Sequence, residues 1–290
     1  WGLPGEKLAI WEGDIYRVEP DGQGGERLEI LRRPPEVMLA MRRLVSDNEH
    51  LSPHAKPPLL SRWHMDDDLR GRKSLPWSSS DLERTFTSPA NQGNTEVHWL
   101  RYQHVIQPGQ TPRGVGQDAP VAVADSPQLI TDHLAYNEGA MPLNWCRDLM
   151  FETEVEILEP LGELVIELNA GCDAHRLHLD LGAGMAALKV YRGGTEIDLK
   201  SAPRRVSLPS GGGKFFVRFA NFDRRLTVWV NRELPFGDGV EVPPFLDKDR
   251  GPRLADLSPV SVGVRAGRVA VRKLQVWRDI YYTRSTMQSY

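Results

Sequence analysis

Along residues 128–283 apolar and polar positions alternate with a period of two. Phe151, Thr153, Val155 and Ile157 fall on one face of an extended segment, and Glu152, Glu154 and Glu156 fall on the other. The pattern recurs at Leu164, Ile166 and Leu168, and at Leu177, Leu179 and Leu181. Leu188 to Tyr191 turns at Gly193-Gly194 into Ile197 to Leu199. Phe215, Val217 and Phe219 turn at residues 221–223 into Leu226, Val228 and Val230. Val260, Val262 and Val264 turn at Ala266-Gly267 into Val269 and Val271, then Leu274 and Val276. The change of phase between Val271 and Leu274 predicts a β-bulge. About nine such strands, each with one apolar face, imply antiparallel sheets packed face to face in a jelly-roll sandwich. Without βαβ alternation a doubly wound sheet or an α/β barrel is excluded.

Upstream the pattern divides the chain further. Residues 1–32 read as a β-hairpin segment: Lys7 to Trp11 alternates, Glu12-Gly13-Asp14 turns, and Ile15 to Val18 alternates again. Leu28 and Ile30 suit a third strand. Pro34-Pro35 begins one helix over residues 36–45, with strong helix formers and apolar residues at helical spacing. The rest of 33–127 holds a proline about every dozen residues, from Pro53 to Pro127, with Trp63, Trp77 and Trp99 among them. Prolines interrupt regular elements and tryptophans oppose plain disorder, so an irregular, ordered connection is expected, with residues 96–102 its best strand. The sandwich is expected over 128–283 and a short tail over 284–290.

Composition narrows the function classes. The 290 residues carry a net charge of −3 and 40% hydrophobic residues. That charge calls for neither nucleic acid nor an anionic membrane surface. No window approaches the ~20 apolar residues of a membrane-crossing helix. The two cysteines, Cys146 and Cys172, leave open one disulfide or two separate thiols.

Candidate chemistry is sparse. His64-Met65-Asp66-Asp67-Asp68 lacks the glycine and distal glutamate of a calcium loop and reads as a solvated acidic turn. In Cys172 to Asp180 a regular strand puts His175 on the face of Leu177 and Leu179, and His178 on the opposite face with Arg176 and Asp180. The two histidines point apart and do not share an ion, and His178 pairs with Asp180 in this reading. Tyr191 and Trp229 fall on polar strand faces, where an aromatic ring either stacks on a sugar or lies under a covering segment. No Gly-x-Ser-x-Gly elbow and no Cys–His pair at diagnostic spacing is present, and Ser285 to Ser289 has no lysine or histidine near it in sequence. No cofactor or metal is expected.

Gly2-Leu3-Pro4-Gly5-Glu6, followed by alternating residues, Gly13 and Ile15-Tyr16, resembles a block of bacterial type I signal peptidases. Residues 33–41, 99–102, 129–137 and 277–283 resemble a long-insert form of that family. Val228-Trp229-Val230-Asn231 and the closing strands from Val269 are similar to concanavalin-like jelly rolls. The resemblance implies that residues 1–32 belong to a peptidase β-sheet and that the sandwich is an insert. It implies a general-base lysine just before the turn and a serine nucleophile earlier still. Neither the family's Ser-Met-x-Pro block nor its Gly-Asp-Asn-Ser block is in these residues. The chain is therefore expected to be an extracytoplasmic fragment of a membrane-anchored endopeptidase acting on secretory preproteins, with no catalytic residue of its own. Gly2, Leu3, Pro4, Gly5 and Glu6 would then support an active site that other residues complete. The alternative expectation is a glycan- or protein-binding jelly roll, with Tyr191 and Trp229 as stacking residues.

Overall fold

A computed structural model describes residues 3–50, 60–65, 76–90, 96–105, 126–132, 143–244 and 251–283. The hairpin expected near the start is present and gains its third strand. β1 (Leu8–Trp11), β2 (Asp14–Pro20) and β3 (Glu26–Ile30) form a small antiparallel sheet in that order. The chain then enters α1 (Pro35–Met41), a helix of two turns with a proline at its start. It stops four residues short of the expected end. Arg42 is already extended, and β4 (Arg43–Asp47) takes up the β-branched Val45 that the helical reading had included.

The stretch read as an irregular connection supplies strands to both large sheets. After β4 come β5 (Trp63–His64), β6 (Ser78–Ser80), β7 (Thr85–Thr87) and β8 (His98–Tyr102). The regular part follows: β9 (Leu149–Glu159), β10 (Glu163–Ala170), β11 (Asp173–Asp180), β12 (Met185–Arg192), β13 (Thr195–Ile197) and β14 (Arg204–Arg205). Next are β15 (Gly213–Ala220), β16 (Arg225–Val230), β17 (Val240–Glu241), β18 (Val260–Arg265) and β19 (Arg268–Arg278). One sheet runs β13-β12-β11-β10-β18-β8-β5, with β14 also on β12. The other runs β17-β16-β15-β9-β19-β7-β6, with β4 also on β19. The result is the antiparallel jelly-roll sandwich expected from the alternation.

The inner faces carry the apolar residues of the period-two pattern. Leu164, Ile166, Leu177 and Val262 of the first sheet share one core with Phe151, Val155, Val217 and Val271 of the second. Two of the three tryptophans of the connection, Trp63 and Trp77, lie in that core. Trp63 packs against Tyr102 at 5.4 Å, Phe151 at 5.7 Å and Phe86 at 6.4 Å between ring centroids. That aromatic plug is why short, proline-flanked strands hold their places. The expected bulge is present: the β19–β9 register shifts between Arg272 and Gln275, where Lys273 has φ +54°.

The outer face of the β9 sheet is closed by α1 and by an ion-pair ladder. Met38 of α1 packs with Met150, Ala220, Phe222 and Trp229 in a second apolar cluster, joined by Leu39, Leu234 and Trp277. Glu152 is 2% exposed. It receives Arg42 at 3.0 Å and pairs with Arg218, while the Arg42 guanidinium lies 4.0 Å from the Trp277 ring centre. The Glu152→Ala substitution leaves two largely buried guanidiniums facing each other without their carboxylate. We expect it to lower unfolding free energy by ~2–4 kcal/mol in urea denaturation. A loss under ~0.5 kcal/mol would show the ladder to be idle.

Candidate functional site

The outer face of the β10 sheet has a different character. Cross-strand register aligns Arg101, Ser261, Glu167, Arg176 and Lys189 in one row across β8, β18, β10, β11 and β12. His64 of β5 extends the row next to Arg101. A neighbouring row holds Trp99, Gly263, Val165, His178 and Ala187. On the other side of the charged row stand Asn169, Ala174 and Tyr191.

These side chains brace one another. Arg176 reaches Glu167 with Nε and Nη2, both at 2.7 Å, and Glu167 is only 5% exposed. Arg101 lies 3.8 Å from the same carboxylate and donates to the Ser261 hydroxyl at 3.2 Å. The Arg176 guanidinium stands between two rings, 5.5 Å from Trp99 and 4.7 Å from Tyr191. Arg101 is 5.2 Å from the Trp99 ring. A Cβ on Gly263 would come within 2.7 Å of Trp99 Cε3, so only glycine lets the indole settle on the sheet there. His178 Nδ1 is 2.9 Å from Glu163, which also pairs with Arg265. Planar aromatic and guanidinium groups, held by charge-assisted bonds, are thus fixed across five strands.

Tyr191 sits on this face, as the sequence reading placed it, but Trp229 does not. It is 4% exposed on the opposite sheet, beneath Met38 and Leu39 of α1, so its ring faces a helix and has no room for a ligand. Of the two roles open to an outward-facing aromatic, Trp229 takes the covered one, and Trp99, read from the sequence only as a strand residue, is the indole on the Tyr191 face. His175 and His178 point apart as expected, but His178 bonds to Glu163 across the strands rather than to Asp180 along its own. Burial lowers the His175 pKa to about 4. Cys146 and Cys172 are separate thiols and not a disulfide, and burial pushes the Cys146 thiol up to about 12. His64 and Met65 belong to the described chain, whereas Asp66, Asp67 and Asp68 lie outside the described residues, as do Gly2 and Ser285 to Ser289.

In the opening turn, Glu6 N donates to the Leu3 carbonyl at 3.0 Å, and the Glu6 carboxylate accepts from Leu3 N at 2.9 Å. Arg17 of β2 holds the same carboxylate at 3.0 Å. Leu3 is 74% exposed, with Pro4 and Gly5 beside it at the surface. The turn is a self-contained element leaning on β2.

One constellation lay outside the sequence reading. Where the small sheet meets the sandwich, Asp14, Asp148 and Asp223 bring carboxylate oxygens within 4.8 Å of one another, and Asp279 stands close by. Three hard oxygen donors are of the type that divalent cations use. In this arrangement they are already engaged by Arg147, Arg33 and the Asp223 N–H. No signal in the sequence joins residues 14, 148, 223 and 279, since only the folded register assembles them.

No family model matches the chain, and no curated protein matches it. Solved structures similar to it include a carbohydrate-binding module, CBM66, from Bacillus subtilis (10% identity, 44% of this chain and 73% of that one, TM-score 0.33). Others are the Caenorhabditis elegans galectin LEC-6 (12%, 45% and 83%, 0.31) and sheep galectin-11 in complex with glycerol (13%, 52% and 97%, 0.31).

Because Trp229 is a core residue, Trp229→Ala opens a cavity under α1. We expect it to cost ~3–5 kcal/mol of stability, read as a lowered midpoint in thermal denaturation. An unchanged midpoint would show that the helix does not depend on the indole.

Proposed function

We propose that the protein is a carbohydrate-binding module and that the outer face of the β10 sheet receives the glycan. The observation that carries this reading is the Trp99–Arg176–Tyr191 array with Arg176 locked onto Glu167. Sugars present apolar C–H faces that lie on aromatic rings, and neighbouring hydroxyls that fit the paired donors and acceptors of arginine and carboxylate groups. The array supplies both within one surface, and its side chains are already held in place, so little conformational entropy is lost on binding.

A second reading retains the resemblance of the opening residues to type I signal peptidases. It is favoured by the path of the chain, which leaves the small sheet at Ile30 and comes back to it where Tyr282 bridges Gly13. The sandwich is then an insertion between parts of a peptidase sheet, on the extracytoplasmic side of a membrane-anchored parent, and glycan binding would be its contribution. In that reading the serine and the lysine lie outside these residues. The chain should leave a signal-peptide substrate intact, and cleavage by the purified protein would remove that assignment.

A glycan array followed by calorimetric titration of the strongest hit tests the binding reading. Trp99→Ala and Arg176→Ala should each weaken binding by at least about tenfold, since each removes contacts worth ~1–2 kcal/mol. An array without hits, or hits that both variants retain at full affinity, would eliminate the face as a glycan site.

A further inference from the structure

The joint between the small sheet and the sandwich gathers buried charge from four segments. Asp14 opens β2, Asp148 precedes β9, Asp223 lies in the turn before β16, and Asp279 follows β19. Their side chains are between 6% and 14% exposed. Arg147 spans the joint. It reaches Glu12 at 2.9 Å and Asp14 at 3.2 Å on the small sheet, and lies 3.9 Å from Asp148 on the sandwich. Arg33, between β3 and α1, lies 3.4 Å from Asp223 and pairs with Asp279. Among the described residues, five carboxylates (Glu12, Asp14, Asp148, Asp223, Asp279) thus share two guanidiniums in direct contact.

Burial outweighs the surrounding cations: Arg32 and Arg225 also favour the ionised form of Asp223, yet its carboxyl stays above its ordinary value. The Tyr16 hydroxyl stands 3.4 Å from Asp14. Arg32 donates to the Asp223 carbonyl and pairs with Glu241. Arg225 donates to the Arg33 carbonyl, and Arg278 to those of Asp279 and Asp132. The charge of Arg224 acts on Tyr16, and the Cys146 thiol stays protonated. Tyr282 acts on Arg33 from the returning strand. Beside the cluster run the backbone tie from Tyr282 N to the Gly13 carbonyl at 3.0 Å and the Tyr281 ring. That ring lies so close over Gly13 that a Cβ there would be 2.5 Å from it.

We propose that this cluster is a proton-dependent latch, which holds the three-stranded sheet on the sandwich while protons are shared among its carboxylates and loosens as they ionise. Burial pushes the Asp14 carboxyl up to about 6 and the Asp279 carboxyl up to about 7. Burial also raises Asp148 and Asp223 above their ordinary value. A carboxyl whose pKa is raised in the closed joint favours closure fully below the free value of ~3.9, and that contribution disappears as pH climbs through the closed-state value. The latch therefore weakens across the interval ending near pH 6 for Asp14 and near pH 7 for Asp279.

Amide hydrogen exchange on the whole chain between pH 5 and pH 8, corrected for intrinsic rates, tests this. The reporter is the Tyr282 amide, which bonds across the joint, and the reference is the Trp229 amide, paired with Arg218 inside the β15–β16 ladder. Tyr282 protection should fall by at least about tenfold relative to Trp229. In the Asp14→Asn/Asp279→Asn double variant, which keeps the shape of the protonated carboxyls, the ratio should stay flat. A ratio that is flat in the natural chain, or equally steep in the variant, overturns the proposal. Should the variant not fold, the carboxyl-carbon resonances of the natural chain decide. Titration of Asp14 and Asp279 above about pH 5.5 supports the latch, and titration in the ordinary carboxylate range near ~3.9 overturns it.

Discussion

The pairing of β9 with β19 is the constraint on which the rest of the molecule depends. Both strands are eleven residues long and antiparallel, and they lie at the centre of their sheet. Their inner sides carry Phe151, Val155, Val271 and Val276 into the core. Their outer sides carry Glu152 and Glu154 into the ion-pair ladder and Met150 and Trp277 into the cluster beneath α1. β19 also holds β7 along its first half and β4 along its second, and the bulge at Lys273 separates the two. Where the pair ends, its continuations Asp148 and Asp279 enter the joint with the small sheet. One register therefore fixes the core, the helix and the joint together.

The two outer faces show how cover, rather than composition, decides what charged residues on a sheet do. Both carry glutamate and arginine in cross-strand contact and both carry tryptophan. On the β9 sheet a two-turn helix lies over the aromatic residues, and the ion pairs serve stability. On the β10 sheet Trp99 and Tyr191 remain partly exposed, with guanidiniums against them. Gly263 is the local reason: with a side chain there, the indole of Trp99 would be lifted from the sheet and from Arg176.

The regular half of the fold was legible because burial of one face imposes a period of two, and the bulge was legible as a change of phase. The strands between residues 43 and 102 were less so. They are two to five residues long, too short to show periodicity, and Trp63 and Trp77 hold their place by packing with residues far along the chain. The end of α1 was misread because Arg43, Leu44 and Val45 suit a helical face as well as a strand edge. At the candidate site alternation alone identified Tyr191 as outward-facing. It described Trp229 equally well, because alternation reports which face a side chain takes and not what lies above that face. The partners of Arg176 and His178 are cross-strand, and nothing in linear spacing specifies a register between strands.

The joint and the beginning of β11 meet at one end of the sandwich. Arg147 and Asp148 line two small cavities, one bounded by Gly13, Asp279 and Tyr281, the other by Asp173, His175, Asn221 and Pro243. Asp173 and His175 are on β11, the strand that carries Arg176 and His178 on its other side. Asp173 also holds Arg192, next in sequence to Tyr191, through two bonds of 2.8 Å. The beginning of the strand that presents the charged row thus lines one cavity with Arg147 and Asp148 of the joint, and its Asp173 ties it to the end of β12, where Tyr191 stands.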